Sequence, residues 1–312
     1  MTITQLEYVI AVDRHRNFAQ AAEHCYVTQP TLSMQIQKLE EELDIIIFDR
    51  SKKPVIATDV GRLIVEQAQV ICKEFARIPE IIKSCKGEVS GTLNIGIIPT
   101  IAPYLVPLFL MKFMKSYPDV SVNITEMTTV QIIKGLKDSI IDCGILATPL
   151  HEKNITEIPL FYEPLVAYVS PKNHLHKQKT LLPDDIDGSE LLLLTDEHCL
   201  RSQITNLCNS KVDKGENSRL NYITGSLETI KRMVELNSGV TLLPELAIAN
   251  FSLKQMNMVR YFRGIEPVRE VSIVVHRNYV KPTLINALKE EIIDVVPEKM
   301  KNKKKKMVLE IQ

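Results

Sequence analysis

The first sixty residues carry apolar positions at helical spacing, in short runs separated by polar breaks. Leu6, Val9, Ile10 and Val12 share one face, residues 13–16 interrupt it, and a second run holds Phe18, Ala21, Ala22 and Cys25 behind Asn17, a residue suited to cap a helix. Thr28 is placed to cap a third segment, 29–39, with Pro30 in its first turn, where the missing N–H costs nothing. Two helices joined by a tight turn, the second presenting Gln, Thr, Ser and Lys, predict a helix-turn-helix. Residues 45–56 predict a hairpin with Arg50, Lys52 and Lys53 at its tip, suitable contacts for phosphate.

Val60, Leu63, Ile64, Ala68, Ile71, Phe75, Ile78 and Ile82 then recur in steps of three and four, which predicts a long helix able to pair with another. Pro79 should kink or end it, and 87–91 reads as a hinge. Beyond Gly91 the period changes. Strands are expected at 93–98, 120–126, 143–147, 165–169, 191–194, 239–243 and 271–276, with helices at 103–116, 130–137, 226–237 and 283–296. Such alternation predicts a parallel sheet with crossover helices, in two α/β lobes with a ligand cleft between them. Residues 299–306 contain six lysines and read as a solvated tail.

Composition narrows the function little. Lys+Arg and Asp+Glu are each 38, and residues 1–90 hold eleven Lys/Arg against thirteen Asp/Glu, a net of −2, so charge alone does not mark a nucleic-acid binder. The acids concentrate at 40–42, away from the helix and hairpin tip that would read DNA. No apolar run approaches a membrane span and no signal pattern opens the chain, so the expected location is cytoplasmic, with the thiols reduced at rest.

Chemistry concentrates at 195–208, where Cys199 stands between His198 and Arg201, with Cys208 nine residues on. A protonated His198 and Arg201 would both favour a thiolate. If the intervening residues are helical, nine steps of about 1.5 Å put the α-carbons roughly 13 Å apart, beyond the roughly 7 Å that a disulfide spans. A bond there would require local refolding, which makes the pair a candidate switch. Two unrelated buried thiols are the alternative. Zinc is disfavoured by the spacing, and Cys25, Cys72, Cys85 and Cys143 lack a positive setting.

Residues 17–23, 28–36, 39–40, 48–50 and 58–61 resemble the winged helix-turn-helix of LysR-type transcriptional regulators, and 97–100, 103–107, 159–161, 198–201, Cys208, 226–229 and 239–244 resemble the peroxide-sensing branch of that family. The resemblance spans nearly the whole chain. It implies a winged domain at 1–58, a dimerisation helix and hinge at 59–90, a two-lobed regulatory domain of periplasmic-binding-protein type at 91–300 (lobe 1 about 91–162 and 268–300, lobe 2 about 163–267) and a basic tail at 301–312. It departs at Asp44, where glycine commonly precedes the wing, at Ala57, where leucine is usual, and at Pro79.

By the same resemblance Cys199 meets hydrogen peroxide and Cys208 resolves it as a disulfide. Thr100, Thr129 and His198 line the peroxide pocket and Arg269 supports the sulfur. Thr100 and Thr129 also stand at strand ends, where threonine commonly caps a helix. Gln29, Pro30, Thr31, Ser33, Gln35 and Lys38 would face double-stranded DNA from the recognition helix, and Arg50, Lys52 and Lys53 from the wing. Implied partners are RNA polymerase, a cellular dithiol reductant and further copies of the chain in a dimer of dimers. Neither cofactor nor metal is implied, and the chain is expected to be an activator of oxidative-stress genes rather than an enzyme. A family member answering a small organic effector, and a thiol peroxidase, are the rival readings.

Overall fold

The computed structural model describes residues 1–85, 89–208, 224–236, 239–277, 279, 281–302 and 306–310, in two compact units, 1–86 and 87–312. Residues 86–88 of the expected hinge, Asn237, the tail residues 303–305 and 311–312, and the side chain of Cys85 lie outside the described residues.

In the first unit α1 (Ile3–His15) starts at a Thr2–Gln5 capping box and stops at Arg16, which turns left-handed. Asn17 caps α2 (Phe18–His24) through the Ala19 and Gln20 N–H groups, and Thr28 caps α3 (Gln29–Leu43) through Thr31 N–H. The inward faces meet in a core that includes Val9, Val12, Ala21, Leu32, Ile36 and Phe48. Each such buried Val, Leu, Ile or Phe side chain contributes roughly 1.5–3 kcal/mol. Asp44 ends α3 at φ 52, in the left-handed region. That conformation suits the glycine common at this place, and Asp tolerates it better than most residues. The wing is short: β1 (Phe48–Asp49) pairs antiparallel with β2 (Ile56–Ala57).

The 58–61 motif has a steric reason. Thr58 Oγ1 donates to the Ile46 carbonyl at 2.7 Å and accepts from Gly61 N–H at 2.9 Å. A Cβ on Gly61 would lie 2.0 Å from the Ile47 carbonyl oxygen, so no side chain fits where α4 (Asp59–Cys85) meets the wing. Of the two outcomes expected at Pro79, an end is not seen: α4 continues through it to Cys85. Proline forfeits one i→i−4 bond. Pro79 lies on an exposed side of the helix, between exposed Phe75, Ile78 and Ile82, so no buried carbonyl is stranded there.

The second unit is built on β3 (Gly91–Ile97), α5 (Ala102–Ser116), β4 (Val120–Glu126), α6 (Thr129–Lys137), β5 (Cys143–Thr148) and the fifteen-residue β6 (Ile155–Val169). These are followed by β7 (Thr180–Leu181), α7 (Cys199–Leu207), α8 (Leu227–Leu236), β8 (Val240–Pro244), α9 (Leu253–Met256) and β9 (Val259–Phe262). Last come β10 (Glu266–His276), α10 (Pro282–Val295) and β11 (Lys306–Val308).

The expected all-parallel sheet is corrected to a mixed one, in the order β4-β3-β5-β10-β6-β9-β7 with β11 beside β10 and β8 beside β6. β3 runs parallel to β4 and β5, whereas β10 is antiparallel to both β5 and β6. The sequence pattern misses this because β6 and β10 are long strands returning through both lobes, not strands of local crossover units. Leu160 and Phe161 of β6 enter a first core with Val271–Val275, while Leu165–Val169 enter a second with Leu242 and Leu243. Residues 191–194 make an isolated bridge, Leu191 to Val240, rather than a strand. The solvated tail is also corrected: 306–308 pair with β10, and Leu309 is buried in the second core.

Candidate functional site

Two groups of predicted residues take shape, one in each unit. In the first unit Gln29, Pro30 and Lys38 are exposed on α3, with Thr31, Ser33 and Gln35 partly covered. Not all point free. Gln35 accepts from Gln5 Nε2 at 3.3 Å, so its head group is turned toward α1. Arg50 donates to Ser33 Oγ at 3.0 Å, pairs with Glu40 at 2.9 Å and lies 4.9 Å from the Phe18 ring centroid. The wing arginine is therefore stapled to α2 and α3, while Lys52 and Lys53 stay exposed.

In the second unit Cys199 is the first residue of α7, and His198 is its N-cap. The sulfur is buried beside the first core, whereas Cys208, at the other end of the helix, is buried in the second. Nine helical steps keep the α-carbons roughly 13 Å apart, out of disulfide reach. Both are free thiols.

Burial raises the Cys199 pKa; Arg269, the Thr129 hydroxyl and backbone N–H groups at the start of α7 oppose it without reversing it. Burial thus favours the neutral thiol, against the thiolate expected between His198 and Arg201. Burial holds His198 below the usual histidine range and favours neutral imidazole. Arg201 Nε pairs with Asp196 Oδ1 at 2.7 Å, and its Nη1 donates to the Leu194 carbonyl at 2.7 Å. Both of these groups are therefore weaker sources of positive potential than their sequence positions suggest.

The supporting charge comes from β10. Arg269 is fully buried and pairs with Glu163 of β6, Nε at 2.8 Å and Nη2 at 2.7 Å from Oε2. Its Nη1 donates to Thr100 Oγ1 and its Nη2 to the Thr100 carbonyl, each at 3.0 Å. The second Glu163 oxygen accepts from Leu246 N–H at 2.9 Å. An ion pair this deep persists because its donors and acceptors are satisfied. Neither threonine caps a helix: Ile101 precedes α5 without a side-chain cap, and Thr128 caps α6. The buried Thr129 hydroxyl, with no full hydrogen bond among the described residues, faces the Cys199 sulfur. Gly225 backs His198 closely; a Cβ there would stand 3.0 Å from Nε2.

Thr100, Thr129, Cys199 and Arg269 thus form one linked cluster of two hydroxyls, a thiol and a guanidinium, with His198 preceding the thiol as the N-cap of α7. Such a set can bind a small polar molecule and exchange protons with it. Among the described residues no group of three or more His, Cys, Asp or Glu is arranged to hold a metal. Glu163 was missed from sequence. Its signal is a single acid in the apolar run 158–169, a residue that burial obliges to find a cation.

Comparison with known proteins decides the family. Residues 3–62 match the bacterial regulatory helix-turn-helix domain of the lysR family, and residues 86–297 match the LysR substrate binding domain. The chain belongs to the LysR family. Within it, the chain is 38% identical over 277 residues to a hydrogen peroxide-inducible genes activator of Haemophilus influenzae, covering 88% of this chain and 90% of that protein. The full-length C199D variant of Pseudomonas aeruginosa OxyR superposes with a TM-score of 0.71 at 31% identity, over 95% of this chain and 99% of that one. A Corynebacterium glutamicum OxyR mutant with hydrogen peroxide bound does so at 0.62 and 25%, over 94% and 92%. The family accounts for the N-terminal helix-turn-helix and the two-lobed unit that follows.

Proposed function

We propose that this LysR-family chain is a transcriptional activator of oxidative-stress genes that senses hydrogen peroxide through Cys199 and Cys208. The observation that carries the reading is the placement of the two thiols at opposite ends of α7, one at the first core within reach of Arg269 and the Thr129 hydroxyl, the other in a separate apolar core. Peroxide held by Thr100 and Thr129 meets the Cys199 sulfur as it loses its proton. The O–O bond breaks, one oxygen stays as Cys199 sulfenic acid and the other leaves as water. The Cys208 sulfur then attacks the sulfenic sulfur, the S–O bond breaks, and a second water leaves with the Cys208 proton. Two electrons pass from the thiols to one peroxide, and a cellular dithiol returns them.

Closure requires α7 to give up helical turns, and that repacking is the signal passed to the DNA-reading domains and RNA polymerase. Gln29, Pro30, Thr31, Ser33 and Lys38 face DNA, with Lys52 and Lys53 on phosphate; Gln35 and Arg50 act after leaving Gln5 and Glu40, or by shaping the surface. Two such dimers in a tetramer read half-sites spaced by whole turns of the duplex.

The test is mass mapping of thiols after one equivalent of peroxide, in the wild type and in Cys199→Ser and Cys208→Ser, with operator footprints on the same samples. A 199–208 crosslink in the wild type, trapped sulfenic acid at Cys199 in Cys208→Ser, and a footprint that changes with oxidation are expected. Footprints indifferent to peroxide overturn the reading and favour an organic effector. Steady peroxide consumption with a reductant favours a peroxidase.

A further inference from the structure

The lysine-rich tail returns to the redox helix. β11 lies parallel to β10 with Lys306 opposite Glu266 and Val308 opposite Val268, and Leu309 N–H donates to the Val268 carbonyl at 2.9 Å. The Leu309 side chain enters the same core as Leu200, Ile204, Leu207 and Cys208. Its carbonyl accepts from Gln203 Nε2 at 3.1 Å, and Gln203, in the middle of α7, is fully buried. The Gln203 Oε1 is buried without a partner among the described residues. Leu309 is therefore what holds this amide in an otherwise apolar place, where a buried donor without an acceptor is costly.

We propose that residues 306–309 are a strap that fixes α7 in its helical, reduced form, with Gln203 and Leu309 as positioning residues that set how readily Cys199 and Cys208 join. The inference rests on the disulfide reading above. Gln203 lies four residues after Cys199 and five before Cys208, so bringing those α-carbons within about 7 Å displaces it from the Leu309 carbonyl. The reduced form keeps the strap contact and the disulfide form loses it. A chain without the contact sacrifices nothing on closing and is oxidised at a lower peroxide dose.

Two full-length variants test this: Gln203→Met, which keeps length but removes the donor, and Leu309→Ala, which empties the strap's place in the core. Each is equilibrated with reduced and oxidised glutathione, where one glutathione disulfide yields two glutathione thiols for each 199–208 disulfide formed, and the crosslinked fraction is read by mass mapping. Loss of one hydrogen bond or one buried aliphatic group shifts the exchange constant toward the disulfide by about tenfold to a hundredfold, and tenfold corresponds to about 30 mV more reducing. Independently, the wild-type Gln203 side-chain amide, which donates to the Leu309 carbonyl, should be protected from hydrogen exchange when reduced and should lose that protection when oxidised.

Exchange constants in both variants equal to the wild type overturn the strap, and so does equal protection of the Gln203 side-chain amide in the two redox forms. If the variants do not fold, the wild-type exchange result decides. A wild type that never forms the crosslink refutes the disulfide reading itself, whereas a crosslink that forms with the strap unchanged refutes the strap alone.

Discussion

Arg269→Met separates the two roles assigned to the buried arginine, structural pairing and support of the sulfur. The substitution removes two contacts to Glu163 and two to Thr100 and leaves the Glu163 carboxylate fully buried, with Leu246 N–H as its remaining donor among the described residues. Breaking a buried pair from one side costs about 3–5 kcal/mol. At roughly 2–4 °C per kcal/mol for a domain of this size, the regulatory unit should melt about 6–20 °C lower. Glu163→Gln combined with Arg269→Met removes the stranded charge, while the carbonyl oxygen of the introduced amide can still face Leu246 N–H, so most of that stability should return. The peroxide reaction should not return with it. Both variants lack the cation that favours ionised Cys199, and loss of one nearby opposite charge slows thiolate chemistry on the order of tenfold or more. Thermal melts and stopped-flow oxidation of Cys199 are the assays. A double variant that is stable and reacts at the wild-type rate would refute the electrostatic role, and a single variant as stable as wild type would refute the structural one.

Three further outcomes follow from the same geometry. Burial pushes the Cys208 thiol from about 9 up to about 12, so the unfolded chain ionises first as pH rises; stability should fall between about pH 9 and 12, and Cys208→Ala should flatten part of that fall in alkaline melts. His198 is held low by burial, so its imidazole should titrate below the ordinary value near 6.5 by NMR, and the stability it lends above that value should be lost as pH falls; titration above 6.5 would contradict the pocket. Gly61→Ala puts a Cβ against the Ile47 carbonyl, an overpacking cost of about 1–3 kcal/mol, and should weaken operator binding on every sequence alike, checked by melts and by gel shift, while the peroxide reaction of Cys199 stays at the wild-type rate.

The helices of the first unit were legible because their signals are local: Asn17, Thr28 and Pro30 announce starts that the backbone honours. The sheet order was not legible, because nothing near residues 155–169 or 266–276 says that those strands pair with each other across a hundred residues. The thiol site divides the same way. Cys199 and Cys208 stand out by spacing, yet the group that supports the sulfur comes from residue 269, and its anchor from residue 163, both brought in by that long pairing. Proximity in sequence pointed to His198 and Arg201, and burial and Asp196 take most of their charge out of play.

The tail shows why composition misleads in one direction. Six lysines in eight residues suggest a stretch that stays in solvent, but a strand needs one apolar face only, and its backbone pairs regardless of what the other face carries. The deciding residues lie just beyond the lysines, where Val308 is half-buried and Leu309 enters the core. A buried leucine fixes the end of a strand that the charge pattern alone would leave in water. Through Gln203 it ties that strand to the middle of α7, the helix with Cys199 and Cys208 at its two ends. The middle of the helix that carries both thiols is thus bonded to a residue 106 positions further along the chain, of which the pattern around Cys199 gives no sign.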